Sequence, residues 1–149
     1  MTAANIDADG WLRVGDIAIL RPNGSIELVD RLHEMRKLQN GQFIAPSKLE
    51  NIYINAPLIN QIYIDVNSNY QFLVAVVSCV EERLLQYADV NGIHGDFKQL
   101  IKSPDVEYGV LKQLERLAHL KGLSTIEKIT RVHIVEEPFS TKNGLLSGT

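Results

Sequence analysis

The sequence has a single cysteine, Cys79, among its 149 residues. No internal disulfide can form, which fits a reducing compartment. Long apolar runs are also missing, since the longest, Phe72 to Val77, is far short of the ~20 residues of a membrane-spanning helix. The first residues lack the basic and apolar stretches of a secretory signal. We therefore expect a cytoplasmic protein, and peripheral attachment to a membrane surface stays open as an alternative.

Strong net charge and metal-binding motifs are absent as well. The formal charge of −3 gives no general attraction to nucleic acid, and we expect no nucleic-acid partner. The four histidines have no metal-ligand spacing with one another or with Cys79, so no metal site is expected in this chain. Neither the Gly-x-Ser-x-Gly motif of hydrolases nor a phosphate-binding loop of the Walker type is present.

The composition is that of a folded globular protein, with 45% hydrophobic and 22% charged residues. Near the N-terminus, two apolar stretches, 11–20 and 25–29, flank Arg21-Pro22-Asn23-Gly24 and predict a β-hairpin. Because an isolated hairpin is marginally stable in water, we expect it to pack on another domain. The turn residues Asn40-Gly41 predict a second small hairpin within 30–46.

Strand and helix patterns alternate through the rest of the chain. Ser47-Lys48-Leu49-Glu50 matches the capping-box pattern and predicts a helix that begins near Pro46. The apolar run in 70–80 predicts a central strand covered on both faces. Further strands are predicted at 59–66 and 131–135, and helices at 81–90, after Asp96, and from Ser103-Pro104 to before Gly122. The predicted fold class is α+β, with a small N-terminal β-hairpin followed by a compact domain whose central mixed sheet of about three strands is flanked by helices.

Several ordered motifs resemble the C-terminal part of adenylate-forming acyl-CoA synthetases, above all the long-chain fatty acid CoA ligases. The motifs are Gly15-Asp16, Asp30-Arg31, Lys37-Leu38, Gly41 to Pro46, Leu49 to Tyr53 and Asn143-Gly144-Leu145-Leu146. The resemblance implies an enzyme that uses ATP and Mg²⁺ to form an acyl-adenylate from a fatty acid, and then transfers the acyl group to coenzyme A. It also implies that 1–29 are terminal strands of a large N-terminal domain missing here, that Asp30 is a hinge, and that 30–149 form a mobile C-terminal domain.

The same resemblance assigns roles to individual residues. It implies that Asp16 accepts hydrogen bonds from the ribose hydroxyls of the nucleotide, and that Arg31 binds the ribose or the phosphate side. It also implies that Lys37 acts in the thioester step. Together with Leu38, Gln39 and Gly41, Lys37 would form a loop close to coenzyme A, where a glycine allows close approach of the backbone.

Three positions depart from the family pattern. Val14 replaces a threonine, His33 stands where a basic residue is usual, and Gly148 stands where proline is common. The adenylation lysine is expected beyond Leu146, so we expect a chain truncated before it. The ATP phosphate loop, the magnesium-binding acid and the acyl tunnel belong to the large domain in the family, and this fragment is expected to be inert alone.

Alternatives remain open. The chain could be a free-standing, non-catalytic binding module with a synthetase-like fold, or part of a ligase for a different carboxylic acid. Asp16 could be a simple turn acid, Asp30-Arg31 a surface pair of little energetic value, and Lys37 a solvated lysine.

Overall fold

A computed structural model describes residues 6–146, so Gly148 lies outside the described residues. The elements are β1 (Asp16–Leu20), β2 (Ile26–Arg31), β3 (Arg36–Lys37), β4 (Phe43–Ile44), α1 (Pro46–Tyr53), β5 (Ile59–Asp65), β6 (Leu73–Cys79), α2 (Glu81–Val90), α3 (Phe97–Leu100), α4 (Pro104–Leu120), a short 3-10 helix (Thr125–Glu127) and β7 (Ile129–Val135). The α+β prediction is confirmed, with an N-terminal hairpin and a mixed three-stranded sheet.

The central sheet has the order β5-β6-β7, with β5 antiparallel and β7 parallel to β6. The parallel connection from β6 to β7 runs through α2, α3 and α4, as parallel neighbours require a long crossover. Helix α4 packs on β7, and α1 packs on β5. The hydrophobic core lies between these helices and the sheet, and includes Tyr53, Leu73 and Leu114.

The prediction that β6 is central is confirmed, but its predicted cover on both faces is wrong. Leu73, Ala75 and Val77 are buried, whereas Val74 and Val76 between them are only half-buried. Their face of the sheet carries the exposed Arg131 and His133, which stand beside Val74 and Val76 in the register. The second face of β6 is therefore only partly covered, and its apolar residues alternate with polar neighbours on β7.

The N-terminus of α3 is capped as its local sequence predicts, whereas the polar residues at the start of α1 bond to distant partners. Asp96 caps α3 with a capping box completed by Gln99, as the sequence suggested. The capping box predicted at Ser47 and Glu50 is wrong, because α1 starts at Pro46 without a side-chain cap. The Ser47 hydroxyl instead donates to Glu34 Oε2 at 2.9 Å, and Glu50 Oε1 accepts from the backbone N–H of Ile64 at 2.8 Å.

Helix α4 has a glycine where it meets α2. Gly109 is buried, and a Cβ built on it would lie 2.6 Å from Cζ of Tyr87 on α2. No Cβ tolerates that separation, so glycine permits the aromatic ring to approach the helix backbone.

Candidate functional site

An open cleft of about 640 Å³ lies between the β1–β2 hairpin and helix α1. Its apolar lining comes from Leu28, Val29 and Ile52. Its polar lining consists of Asp16, Asp30, Arg31, Glu34, Ser47, Lys48 and Asn51. The structure therefore brings three of the predicted site residues, Asp16, Asp30 and Arg31, to one cleft.

Asp16 and Arg31 face each other across the hairpin. They are paired in the register of β1 and β2, at the end of the ladder. The pairing is closed beyond them by a hydrogen bond from the N–H of Leu32 to the carbonyl of Gly15 at 2.7 Å. Among residues 6–146 neither side chain forms an ion pair. The cleft thus has an exposed carboxylate acceptor beside an exposed guanidinium donor, a combination suited to a ligand with hydroxyl and anionic groups.

Asp30 is half-buried, and its backbone pairs with Ile17 next to a β-bulge. Its Oδ1 accepts from the N–H of Arg31 at 2.8 Å. Its Oδ2 is buried and has no hydrogen-bond partner among the described residues. Buried polar atoms are normally paired, so this unpaired oxygen is an exception among the described residues.

The loop predicted to lie near coenzyme A is separate from this cleft. Lys37 ends β3, and Gly41 has φ +85 in the tight turn before β4. Neither these two residues nor Leu38 and Gln39 line the cleft. The turn is closed by a hydrogen bond from the N–H of Gly41 to the carbonyl of Leu38 at 2.9 Å.

Each loop residue has a distinct environment. Leu38 is buried in the core, so its side chain anchors the loop and is not available to a ligand. Lys37 is exposed, with Nζ 5.9 Å from the centre of the Phe43 ring. The N–H of Gln39 donates to the carbonyl of Tyr70 at 3.2 Å, which ties the loop to the segment before β6.

The predicted site residues do not include those on the helix side of the cleft. Ser47, Lys48 and Asn51 line it from α1. Their spacing of three and four residues places them on one face of a helix, and this polar periodicity is the signal that could have identified them.

The described residues offer neither a thiol nucleophile nor a metal centre. Burial raises the pKa of Cys79 to about 11, so this thiol is protonated at neutral pH. Between residues 6 and 146 no group of three or more His, Cys, Asp or Glu is arranged to hold a metal ion. None of the helices among residues 6–146 has the length and apolarity needed to cross a membrane.

Two known proteins are similar in sequence to nearly the whole of this chain. The chain is 37% identical over 148 residues to human long-chain-fatty-acid–CoA ligase 1, an alignment with 99% of this chain and 21% of the relative. It is 38% identical over 145 residues to the peroxisomal long chain acyl-CoA synthetase 6 of Arabidopsis thaliana, with 97% of this chain and 21% of the relative. The chain is homologous to the C-terminal part of long-chain fatty acid CoA ligases.

Adenylation domains of two carboxylic acid reductases are among the solved structures similar to this chain. The A domain of the carboxylic acid reductase from Segniliparus rugosus, in complex with AMP and a co-purified carboxylic acid, matches with a TM-score of 0.79 and 31% identity, over 97% of this chain and 21% of that one. The corresponding domain from Mycobacterium chelonae matches with a TM-score of 0.79 and 32% identity, over 98% and 21%. No protein-family model matches this chain. It spans about 21% of the length of the curated relatives.

Proposed function

We propose that this chain is the C-terminal lid of an ATP-dependent long-chain fatty acid CoA ligase. In the complete enzyme, a fatty acid and ATP give acyl-adenylate and pyrophosphate. Coenzyme A then takes the acyl group on its sulfur, with release of AMP and a proton. The observation that carries the proposal is the homology to such ligases over 99% of the chain. Residues 1–29 would be terminal strands of the large domain, and 30–149 the mobile domain.

The surface of the N-terminal hairpin supports this division. Four apolar side chains of this region are at least 69% exposed, namely Trp11, Leu20, Ile26 and Leu28. An isolated hairpin is marginally stable in water. An exposed apolar surface of this kind normally packs against another domain or protein. We infer that these apolar side chains pack against a large N-terminal domain of the same protein.

The cleft supports a nucleotide-binding role for Asp16 and Arg31. The Asp16 carboxylate would accept hydrogen bonds from both ribose hydroxyls, while the Arg31 guanidinium would donate to the ribose or the phosphate. The two residues are direct neighbours across the hairpin, so one nucleotide could contact both. Mg²⁺ would be held mainly by the large domain.

In this proposal the lid has two working faces. Rotation at Asp30 would move the Lys37–Gly41 loop, with Lys37, Leu38, Gln39 and Gly41, to the reacting thioester, and such gating couples domain motion to turnover. Leu38 would contribute through its backbone, because its side chain is in the core. We place the complete enzyme in the cytoplasm, and at a membrane surface when its fatty acid substrate is delivered there.

The proposal is tested with the complete gene product that contains this chain. We expect acid-dependent exchange of pyrophosphate into ATP, strongest for long-chain fatty acids in a panel of chain lengths. Asp16→Asn should raise the KM for ATP about tenfold or more, because a charged acceptor for the ribose is lost. The control Asp9→Asn changes an exposed acid outside the cleft and should have no effect. Absence of exchange with every acid tested would refute the proposal.

A second candidate is an adenylating domain of a carboxylic acid reductase. The A domains of two such reductases are over 30% identical to this chain, with TM-scores of 0.79. Both candidates would exchange pyrophosphate, because both form an acyl-adenylate. Formation of a coenzyme A thioester separates them, since only a CoA ligase passes the acyl group to coenzyme A.

A further inference from the structure

The last described segment, Pro138–Leu146, is a compact loop organised by one asparagine. The side chain of Asn143 donates from Nδ2 to the carbonyl of Pro138 at 3.0 Å. Its Oδ1 accepts from the N–H of Ser140 at 2.9 Å and from the N–H of Leu145 at 3.3 Å. These bonds fix the shape of the loop, but all of them lie within it.

The attachment of this loop to the sheet is made by a single side chain, that of Gln61 on β5. Gln61 Oε1 accepts from the N–H of Phe139 at 2.6 Å, and Nε2 donates to the carbonyl of Phe139 at 3.1 Å. The amide thus reproduces the two-way pairing that neighbouring β-strands make through their backbones. Among residues 6–146, these are the only hydrogen bonds that leave Pro138–Leu146 for the rest of the fold.

Apolar packing involves one side chain of the loop. Leu145 and Leu146 are exposed, whereas Phe139 is half-buried, although it is not among the residues packed against the core. The Gln61 amide supplies the hydrogen bonds that join the loop to the sheet, next to this partly buried ring.

A bulge in strand β5 sets the direction of the Gln61 side chain. A β-bulge between Ile59 and Gln61 places Asn60 and Gln61 opposite the single residue Ser78. Consecutive residues of a regular strand point to opposite faces, yet here both reach the Ser78 hydroxyl: Asn60 Nδ2 donates to it at 3.3 Å, and it donates to Gln61 Oε1 at 3.2 Å. Ser78 is 1% exposed, and the hydrogen bond from its buried hydroxyl restricts the orientation of the Gln61 amide. Bulges are a recognised means of redirecting side chains.

We propose that Gln61 is a positioning residue that fixes the Pro138–Leu146 loop, and with it Asn143-Gly144-Leu145-Leu146, to the bulged end of the sheet. The inference rests on the proposed function, in which the adenylation lysine of the complete enzyme follows this motif. The orientation of the loop then sets where that lysine arrives in the active site. A displacement of about 1 Å there costs on the order of 100-fold in rate. The thioester step uses the other face of the lid and does not depend on this loop.

The test uses Gln61→Met in the complete gene product, since methionine keeps the volume and removes both bonds to Phe139. We expect the kcat of acid-dependent pyrophosphate exchange to fall at least about tenfold, while thioester formation from supplied acyl-adenylate stays within about twofold. Hydrogen–deuterium exchange at Phe139 should accelerate. Gln61→Glu keeps an acceptor for the N–H of Phe139 and for Ser78, so it should restore part of the exchange activity.

The matched control is Gln113→Met on α4. Gln113 is also half-buried, and its Oε1 accepts from the backbone N–H of Leu58 at 3.3 Å. The substitution Gln113→Met removes a hydrogen bond between a side chain and the backbone that lies outside the loop. The rates of both half-reactions should therefore remain unchanged. Equal losses in the two half-reactions for Gln61→Met, or unchanged protection of Phe139, would overturn the role of Gln61. Failure of the unsubstituted protein to exchange pyrophosphate is a different result and refutes the proposed function itself.

Discussion

At the residue scale, Tyr53 shows how one buried hydroxyl connects distant parts of the chain. Its ring is fully buried at the end of α1, and its hydroxyl donates to the carbonyl of Glu127 at 2.8 Å. Burial raises its pKa to about 12, and the nearby Glu127 carboxylate acts in the same direction, while a hydrogen bond from the backbone of Ile129 acts against them. The folded state therefore keeps this proton at a pH where the unfolded chain has lost it.

The first prediction concerns Tyr53→Phe. At pH 7 we expect the free energy of unfolding to drop by about 1 kcal/mol, the usual value of one buried hydrogen bond. The Tyr53 contribution is fully present below pH 10, the ordinary tyrosine value, and is lost as the pH rises towards 12. Because each pH unit in that window removes up to about 1.4 kcal/mol from the unsubstituted protein alone, the difference between the two proteins should vanish near pH 11.

Urea unfolding at a series of pH values measures this difference. Tyr108→Phe is the control, since Tyr108 is exposed on α4 and its substitution should have little effect at any pH. A difference for Tyr53→Phe that stays constant from pH 7 to pH 11 would contradict the assignment.

At the scale of elements, the proposed hinge lies at the junction between the two hairpins. Strand β2 remains paired up to Arg31, and β3 begins at Arg36. A turn with hydrogen bonds from the N–H of Glu34 and Met35 to the carbonyl of Arg31 lies between them. Asp30 is thus the last half-buried residue of a strand directly before the short connection, where a change in φ and ψ would redirect everything that follows.

The second prediction is that Asp30→Pro in the complete enzyme impairs one half-reaction much more than the other, because proline fixes φ and a rotating lid must change it. Pyrophosphate exchange and thiolysis of supplied acyl-adenylate are measured separately. Leu28→Pro disturbs the same strand two residues upstream, and serves as the control for damage to the hairpin itself. Equal losses in both half-reactions for Asp30→Pro, or the same ratio in the control, would argue against a hinge at Asp30.

At the scale of the whole molecule, the hairpin and the α+β unit differ in how much apolar surface they bury. The core residues all lie between Leu38 and Ile134, whereas the hairpin contributes none of them. The hairpin is joined to the rest mainly through the contact of β2 with α1 beside the cleft. Its stability should therefore depend on the proposed large domain.

The third prediction uses Leu20→Ser, which removes an apolar side chain that is 74% exposed. In the 149-residue chain the change in the free energy of unfolding should stay within about 0.5 kcal/mol, as is usual for exposed positions. In the complete protein it should cost about 2 kcal/mol, because the leucine would be buried against the large domain. Val90→Ser on α2 is the control, since Val90 is 79% exposed and lies on the lid. Thermal unfolding of both proteins checks this, and equal effects in the two would contradict the interface.

The sequence by itself determined the features that depend on neighbours within a few residues. The bounds of α2, the Ser103-Pro104 start of α4 and the capping of α3 by Asp96 follow from local hydrogen bonding and periodicity, and the structure has all three. The ordered motifs likewise predicted the resemblance to long-chain fatty acid CoA ligases, and the sequence similarity to such ligases over 99% of the chain confirms that resemblance.

Only the tertiary structure decided the hydrogen-bond partners of several polar side chains. Ser47 and Glu50 match a local capping pattern, yet they bond to Glu34 and Ile64. Gln61 and Phe139 are 78 residues apart, and no local signal links them. The reason is physical. A capping or periodic pattern is fixed by adjacent residues, whereas a side chain in the folded state bonds to whichever donor or acceptor the packing brings within hydrogen-bonding distance, and that partner is set by the whole fold.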